Sequence, residues 1–244
     1  VEAYDCYNLT SDHIALLDAL SIDQAVFVGH DWGALVVWYQ PLLNSDRVLG
    51  LANFSVPFLP RPPIDPVVLM EQANGPEFYI VHFNRQPGVA AAAFADNTRR
   101  FLSNIYRTNV WHDTDENQPS GMSIVDMARI DVQRGDLMMS EEELDVFVSA
   151  FQHSGFEAPC NWYRNFSRNW ELTSGLEHRV EHPALMIYGR YDMVRPVDMS
   201  DSVADLEIHT LDCGHWIQQE KPVETNDILI DWLNRRMKPL YRGS

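Results

Sequence analysis

The chain has 244 residues, which is enough for one large domain or two modest ones. Its 35 acidic and 18 basic residues give a formal net charge of −17, which argues against binding to nucleic acid or to an anionic membrane, and its longest apolar run, residues 89–95, is too short to cross a bilayer. The three cysteines, Cys6, Cys160 and Cys213, are too few and too scattered for a disulfide scaffold or a zinc site, so we expect a protein of the cytosol.

The first quarter of the chain alternates helix and strand signals. Apolar residues on one helical face predict a helix over residues 11–20 with Ser11 as its N-cap. The short apolar run at residues 25–28 stops at Gly29 and indicates a buried strand, followed by a second helix. Residues 48–54 predict another strand, and a proline-rich stretch over residues 57–66 is typical of a linker into a different module.

From residue 67 to 178 the strand signals fade and helix signals dominate. Ser140 and Glu143 form a capping-box pattern, and the apolar residues after it share one helical face. Strand patterns return at residues 184–188 and 206–211, before a final amphipathic helix that ends near Met237. This order predicts a doubly wound α/β core in two parts, residues 1–66 and 179–244, with an all-helical cap inserted at residues 67–178.

The turn between the first predicted strand and the second helix carries the most informative motif, Gly-His-Asp-Trp-Gly at residues 29–33. A nucleophile held between two glycines in a strand–helix turn is typical of hydrolases, and we expect side chains at Gly29 and Gly33 to clash there. Asp31 takes the place of the usual serine. A carboxylate can attack an sp³ carbon that bears a leaving group and form an alkyl ester. The alternative is that Asp31 only caps the N-terminus of the following helix.

Two later segments favour the catalytic interpretation. Asp192 lies just past a predicted strand, and His215 lies in a loop after the next one. Nucleophile, acid and histidine in this chain order are typical of α/β-hydrolases, in which the acid orients the histidine and the histidine activates water. His209 lies inside a strand and is expected to be structural, and His30 to be packed. The sequence contains no cluster with metal-ligand spacing and no glycine-rich phosphate loop, so we expect neither a metal nor a cofactor.

Four motifs resemble those of the soluble epoxide hydrolases of the α/β-hydrolase fold, which carry a helical cap. The nucleophile turn at residues 29–33 is similar to theirs, and so is the histidine motif at residues 213–216. The segment 161–166, Asn-Trp-Tyr-Arg-Asn-Phe, resembles the cap motif of that family. The segment 79–83, followed by Gln-Pro-Gly at 86–88, resembles its first cap-tyrosine segment.

The resemblance implies a division of labour among these residues. Asp31 would open the epoxide ring, while Tyr79 and Tyr163 would donate hydrogen bonds and a proton to the departing oxygen. His215, oriented by Asp192, would activate water to hydrolyse the ester and release a vicinal diol. The backbone N–H of Trp32 would stabilise the oxyanion, and the aromatic side chains of Trp32, Phe78, Trp162 and Phe166 would line an apolar substrate pocket. The expected partners are thus a small apolar epoxide and water.

The resemblance also raises alternatives. The family has further strands upstream, including a His-Gly-x-Pro loop, that this chain does not contain; we therefore expect roughly 70–80 N-terminal residues of the core to be absent, supplied by a separate segment or lost in an inactive fragment. The sequence leaves the oligomeric state open and is compatible with a homodimer. Haloalkane dehalogenases also use an aspartate followed by tryptophan, so Trp32 is compatible with them. A non-catalytic protein of the same fold is the third alternative.

Overall fold

The computed structural model describes residues 1–108, 124–131 and 135–238. They fall into two compact units. One is helical and contains Val1–Asp5 and Pro62–Ser174; the other is α/β and contains Cys6–Arg61 and the residues from Gly175 onward. No helix in the described ranges is both long enough and apolar enough to span a membrane.

The described elements alternate as an α/β protein interrupted by a helical block. The four strands are β1 (Ala25–His30), β2 (Val48–Phe54), β3 (Ala184–Gly189) and β4 (Leu206–Leu211). The described α-helices are α1 (Cys6–Ala19), α2 (Trp32–Leu43), α3 (Pro66–Asn74), α4 (Tyr79–Arg85), α5 (Val89–Asp96), α6 (Thr98–Ile105), α7 (Ile124–Met127), α8 (Glu141–Ser154), α9 (Glu157–Tyr163), α10 (Phe166–Leu172), α11 (Ile217–Glu220) and α12 (Pro222–Trp232). Short 3₁₀ turns lie at Glu2–Tyr4 and Ser45–Arg47, and a π-helical turn, Leu233–Met237, continues α12.

The α/β unit is built on a parallel sheet in the order β1-β2-β3-β4. Every residue of β3 is buried, as expected of a strand covered on both faces, whereas β4 is only partly buried. One face packs against α1 and α2 through a cluster that includes Trp38 and Leu51. The other packs against α11 and α12 through a cluster that includes Phe54 and Trp232.

The predicted strands are confirmed, but the first helix is longer than predicted. Residues 48–54 and 206–211 are strands at the predicted bounds, and β1 and β3 each run slightly past the predicted end. Helix α1 begins at Cys6, so the prediction of Ser11 as its N-cap is wrong. Cys6 and Thr10 are both buried, and the Thr10 hydroxyl donates to the Cys6 carbonyl. The first turns of the helix contain small and polar side chains, which an apolar periodicity does not detect.

The helical unit has its own apolar core, in which the rings of Phe94 and Phe101 are stacked with centroids 3.8 Å apart. Helix α8 begins with the predicted capping box, in which the side chains of Ser140 and Glu143 each accept from the other residue's backbone N–H. The N-terminal residues belong to this unit. Arg168 donates to the buried carboxylate of Asp5 at 2.9 Å.

Candidate active site

The turn between β1 and α2 holds Asp31 in an unusual backbone conformation. Its φ is +54° and its ψ is −124°, a combination that L-residues adopt only under constraint. A Cβ on Gly29 would lie 2.5 Å from the carbonyl oxygen of Gly33, so position 29 requires glycine. A Cβ on Gly33 would meet no described atom within 4 Å, so the predicted clash there is wrong. The close approach is between the Cβ position of Gly29 and the backbone of Gly33, so only the first glycine is needed.

Asp31 occupies the N-cap position of α2 but does not cap the helix with its side chain. Its side chain makes no capping hydrogen bond to the helix, which removes the alternative raised from the sequence. The carboxylate instead lies beside His215, with 3.5 Å between Oδ2 and the imidazole Nε2.

Each of the four parallel strands contributes one polar side chain just beyond its carboxyl end. Asp31 follows β1, Ser55 follows β2, Asp192 follows β3 and His215 follows β4. The carboxyl ends of parallel strands meet at one edge of a sheet, which is where α/β proteins place their sites. The structure thus brings together the three predicted core residues Asp31, Asp192 and His215, and it adds Ser55.

The imidazole of His215 lies between the two carboxylates. Its Nδ1 is 3.1 Å from Oδ1 and 3.2 Å from Oδ2 of Asp192, while Nε2 is the nitrogen near Asp31. Asp192 is 1% exposed and its Oδ1 also accepts the backbone N–H of Val194 at 2.9 Å. This arrangement orients the ring and leaves Nε2 on the side of the nucleophile.

Charge and burial act in opposite directions on this pair. Burial disfavours the imidazolium, but the hydrogen bond to Asp192 and the charges of Asp31 and Asp192 outweigh it and raise the pKa of His215. Burial likewise disfavours the Asp192 carboxylate, but its hydrogen bond to His215, the His215 charge and its hydrogen bond to Ser55 outweigh it and lower the pKa of Asp192. Asp192 is therefore held ionised against His215.

Ser55 was not predicted from the sequence. It is fully buried, its Oγ donates to Asp192 Oδ2 at 2.6 Å, and the same oxygen is 3.1 Å from His215 Nδ1. The sequence feature that could have identified Ser55 is its position, because it is a polar residue directly after the strand predicted at residues 48–54.

The acid loop and the histidine loop approach each other closely. A Cβ on Gly189 would lie 2.0 Å from the carbonyl oxygen of Gly214, so a side chain at position 189 would separate the loops that carry Asp192 and His215. Glu220 holds the histidine loop from the other side. Its carboxylate accepts the backbone N–H groups of Gly214, at 3.0 Å, and Trp216, at 3.1 Å, which flank His215.

His30 is packed, as predicted, and it also makes a specific contact. Its Nε2 is 2.8 Å from the carbonyl oxygen of His215, and because a carbonyl only accepts, Nε2 carries the proton. Burial and the neighbouring charge of His215 lower the pKa of His30, which favours this neutral form. His209 lies in β4 and contacts Glu207, consistent with a structural role. Burial raises the pKa of the Cys213 thiol to about 12, so this residue is an unreactive packed thiol.

The two predicted tyrosines lie together in the helical unit. Tyr79 begins α4 and Tyr163 ends α9, and their rings are 5.7 Å apart at 76°. Phe83 packs against both rings, at 5.9 Å from Tyr79 and 4.9 Å from Tyr163, and Phe78 packs against Tyr79 at 4.8 Å. Two motifs that are far apart in the sequence therefore form one aromatic cluster.

The other predicted aromatic contacts divide between the units. Trp32 is the first residue of α2 in the α/β unit, whereas Trp162 and Phe166 lie in α9 and α10 of the helical unit; all three are partly buried. The helical unit also contains an apolar cavity of about 130 Å³. Its described lining includes Phe94, Phe156 and Tyr163 but not Phe78, Trp162 or Phe166.

Across the described residues, no three His, Cys, Asp or Glu side chains are grouped so that they could hold a metal ion.

Comparison with known proteins agrees with this geometry. A family model described as the α/β-hydrolase fold matches residues 7–222. The chain is 35% identical to epoxide hydrolase A of Mycobacterium tuberculosis, over 96% of this chain and 76% of that protein. It is 34% identical to the bifunctional epoxide hydrolase 2 of Sus scrofa, over 96% of this chain but only 43% of that longer protein.

Solved structures lead to the same family. The crystal structure of epoxide hydrolase A from Mycobacterium thermoresistibile matches with a TM-score of 0.85 and 36% identity, over 96% of this chain and 76% of that one. An epoxide hydrolase from an endophytic Streptomyces matches with a TM-score of 0.83 and 30% identity, over 96% of this chain and 75% of that one. The predicted fold class, a parallel α/β-hydrolase sheet with a helical cap, is confirmed. The chain belongs to the epoxide hydrolase family of the α/β-hydrolase fold.

Proposed function

We propose that this protein hydrolyses an epoxide to a vicinal diol through a covalent ester on Asp31. The observation that carries the proposal is the position of the Asp31 carboxylate, in a strained turn with His215 Nε2 3.5 Å away. The buried Asp192 engages the other ring nitrogen of His215. Membership in the epoxide hydrolase family supports the same chemistry.

In the first half-reaction, a carboxylate oxygen of Asp31 attacks one ring carbon and the bond from that carbon to the epoxide oxygen breaks. The departing alkoxide is a poor leaving group unless it receives hydrogen bonds or a proton. Tyr79 and Tyr163 donate those hydrogen bonds, and one of them transfers its proton. The packing of the two phenol rings in one cluster supports their acting on one oxygen atom.

In the second half-reaction, His215 accepts a proton from water, and the water oxygen attacks the ester carbon of Asp31. The backbone N–H of Trp32 stabilises the resulting oxyanion, because N–H groups in the first turn of a helix take no part in the hydrogen bonds within the helix. Collapse of the tetrahedral intermediate breaks the bond between the ester carbon and the alkyl oxygen, which takes the proton held by His215 and leaves in the diol. The water oxygen remains in the Asp31 carboxyl group, whose proton passes to the deprotonated tyrosine.

Formation of the ester also changes the basicity of His215. The Asp31 charge is one of the causes that raise the pKa of His215. Ester formation removes that charge, so His215 is held less strongly in its protonated form when it must accept a proton from water. The substrate is a small apolar epoxide, and Phe78, Trp162 and Phe166, together with Trp32, supply apolar contacts to its substituents.

A single turnover in ¹⁸O-labelled water with excess enzyme tests the covalent route. The first diol should contain no label, because the added oxygen comes from Asp31, and Asp31→Ala should form no diol. His215→Gln should accumulate an adduct with the mass of the substrate on Asp31. Labelled diol from the first turnover would exclude the covalent route.

The role of the tyrosines is tested by the rate of ester formation in the His215→Gln background. Tyr163→Phe should slow ester formation by about 100-fold or more, since positioned acids commonly contribute that much. Tyr4→Phe is the matched control, because Tyr4 is another partly buried tyrosine of the helical unit and does not line the cavity that Tyr163 lines. Equal rates in the two variants would remove Tyr163 from the acid role.

A further inference from the structure

Ser55 has a backbone conformation that serine does not normally adopt. Its φ is +70°, in the left-handed region, although glycine or asparagine would be easier there. Its backbone N–H donates to the carbonyl of Ile187 at 3.0 Å, so the residue that follows β2 is also bonded to β3. Strain of this kind in a fully buried residue next to an active site points to a role for its side chain.

The hydrogen bonds of the Ser55 hydroxyl determine where protons lie in the site. An ionised carboxylate only accepts, so the hydroxyl proton is directed to Asp192 Oδ2, 2.6 Å away. A lone pair of the Ser55 oxygen is then left for His215 Nδ1 at 3.1 Å. Both neighbours of Nδ1, Asp192 and Ser55, are therefore acceptors, and Nδ1 must carry the proton. In the neutral ring, the lone pair of Nε2 is consequently on the Asp31 side.

We propose that Ser55 is a positioning residue for hydrolysis of the Asp31 ester, which holds the Asp192 carboxylate against His215 Nδ1 and thereby supports the Nδ1–H tautomer that Asp192 sets. The inference rests on the function proposed above, since it concerns the base of the second half-reaction. Ser55 has no part in ring opening, because its contacts are to Asp192 and His215 and not to the nucleophile.

The same contacts determine the direction of a pH effect. His215 faces Asp192 and Ser55 at Nδ1 and Asp31 at Nε2, while the ring of His30 lies 4.9 Å from its ring and Glu220 binds its loop. Removal of the Ser55 hydroxyl takes a donor at 2.6 Å from Asp192 and an acceptor at 3.1 Å from His215 Nδ1. The shorter bond, to the charged carboxylate, is the stronger of the two, so the main effect is a more basic Asp192. Asp192 then holds the proton on His215 more strongly, so the pKa of His215 rises and the acid limb of ester hydrolysis moves to higher pH.

Two substitutions separate the hydroxyl from the backbone strain. Ser55→Ala removes the hydroxyl and keeps the strain, whereas Ser55→Gly removes both, because glycine adopts positive φ freely. Ester hydrolysis should fall in both variants by about 10- to 100-fold, the range for loss of one hydrogen bond to a charged group. Ester formation should stay within about twofold of wild type, since Asp31 is not contacted. Ser21→Gly is the matched control, because Ser21 also has a positive φ, +54°, but is exposed and precedes the amino end of β1, whereas Asp31 follows the carboxyl end of that strand.

A second readout does not depend on turnover. ¹⁵N NMR of labelled histidine, with His215→Gln to assign the signal among the nine histidines, reports which ring nitrogen carries the proton and at what pH the ring titrates. The wild-type neutral ring should be protonated at Nδ1, and the His215 pKa should rise in both Ser55 variants but not in Ser21→Gly.

The outcomes distinguish this inference from the proposed function. Absence of an ester on Asp31 in the wild type would overturn the proposed function. Wild-type ester hydrolysis in Ser55→Gly, an Nε2–H tautomer in the wild type, or an unchanged His215 pKa in both Ser55 variants would each overturn the role of Ser55.

Discussion

Glu220 offers a sharp test of how the histidine loop is held. Its carboxylate accepts the two backbone N–H groups on either side of His215, from Gly214 and Trp216. Glu220→Ala leaves both donors without this acceptor. A hydrogen bond to a charged group contributes about 1.5–3 kcal/mol when well buried, and Glu220 is only partly buried, so we expect about 2 kcal/mol for the pair.

This magnitude predicts two measurable effects. The midpoint of thermal unfolding should fall by about 4–8 °C, on the scale of 2–4 °C per kcal/mol for a chain of this size. If the whole loss is expressed as misplacement of His215, ester hydrolysis should fall by about 30-fold. Both are measured on the same preparation, by thermal unfolding and by the decay of the Asp31 ester after a single turnover.

Glu224→Ala is the matched control for this variant. Glu224 is also a glutamate that follows the histidine loop, but it is exposed and pairs only with Lys221, at 3.6 Å, in the described structure. An exposed pair of this kind is worth less than about 1 kcal/mol. If the two variants lose the same stability and hydrolyse the ester at the same rate, Glu220 does not position His215 and the reasoning is refuted.

Two further predictions follow from close packing and from charge in the site. Gly189→Ala should destabilise the fold by about 1–3 kcal/mol in urea unfolding, because its Cβ would lie 2.0 Å from the Gly214 carbonyl oxygen. Gly175→Ala is the control and should not destabilise the fold, because a Cβ there meets no described atom within 4 Å. Equal stability of the two variants would contradict the close approach at Gly189. Asp31→Asn should lower the pKa of His215 in ¹⁵N NMR, since one raising charge is lost. A raised pKa of His215 in the folded state stabilises the fold at pH below the unfolded-state pKa, and this stabilisation is lost as pH rises through the folded-state pKa. In Asp31→Asn the stabilisation should therefore be lost at lower pH. An unchanged titration of His215 would contradict the Asp31–His215 interaction.

The sequence predicted those features of the fold that depend on residues close together in the chain. Residues 184–188 are a continuous apolar run ended by Gly189, and residues 48–54 are apolar except for Gly50 and Asn53; both segments form strands close to the predicted bounds. Asp31, Asp192 and His215 each follow a predicted strand, so their convergence could be inferred from chain order and the geometry of parallel sheets. The roles of the aromatic residues in the substrate pocket stay predictions.

What the sequence did not reveal depends on contacts between distant residues. Ser55 and Asp192 are far apart in the chain and meet because β2 and β3 are neighbours. Glu220 acts on backbone N–H groups, which leave no trace in the identity of the residues that carry them. Ser11 looked like an N-cap because hydroxyl residues favour that position, but the helix begins at Cys6 and Ser11 lies inside it.

The register of the sheet connects the apolar core to the chemistry. In β2, Leu51 packs into the cluster that contains Trp38, while Ala52 and Phe54 pack into the cluster that contains Trp232. A slip by one residue would exchange these faces, and a slip by two would move Ser55 by about 6.6 Å along the strand, since parallel strands rise about 3.3 Å per residue. Either slip would separate Ser55 from Asp192, which are 2.6 Å apart in the observed register. The alternation of apolar side chains that builds the core therefore also sets the hydrogen bonds around His215.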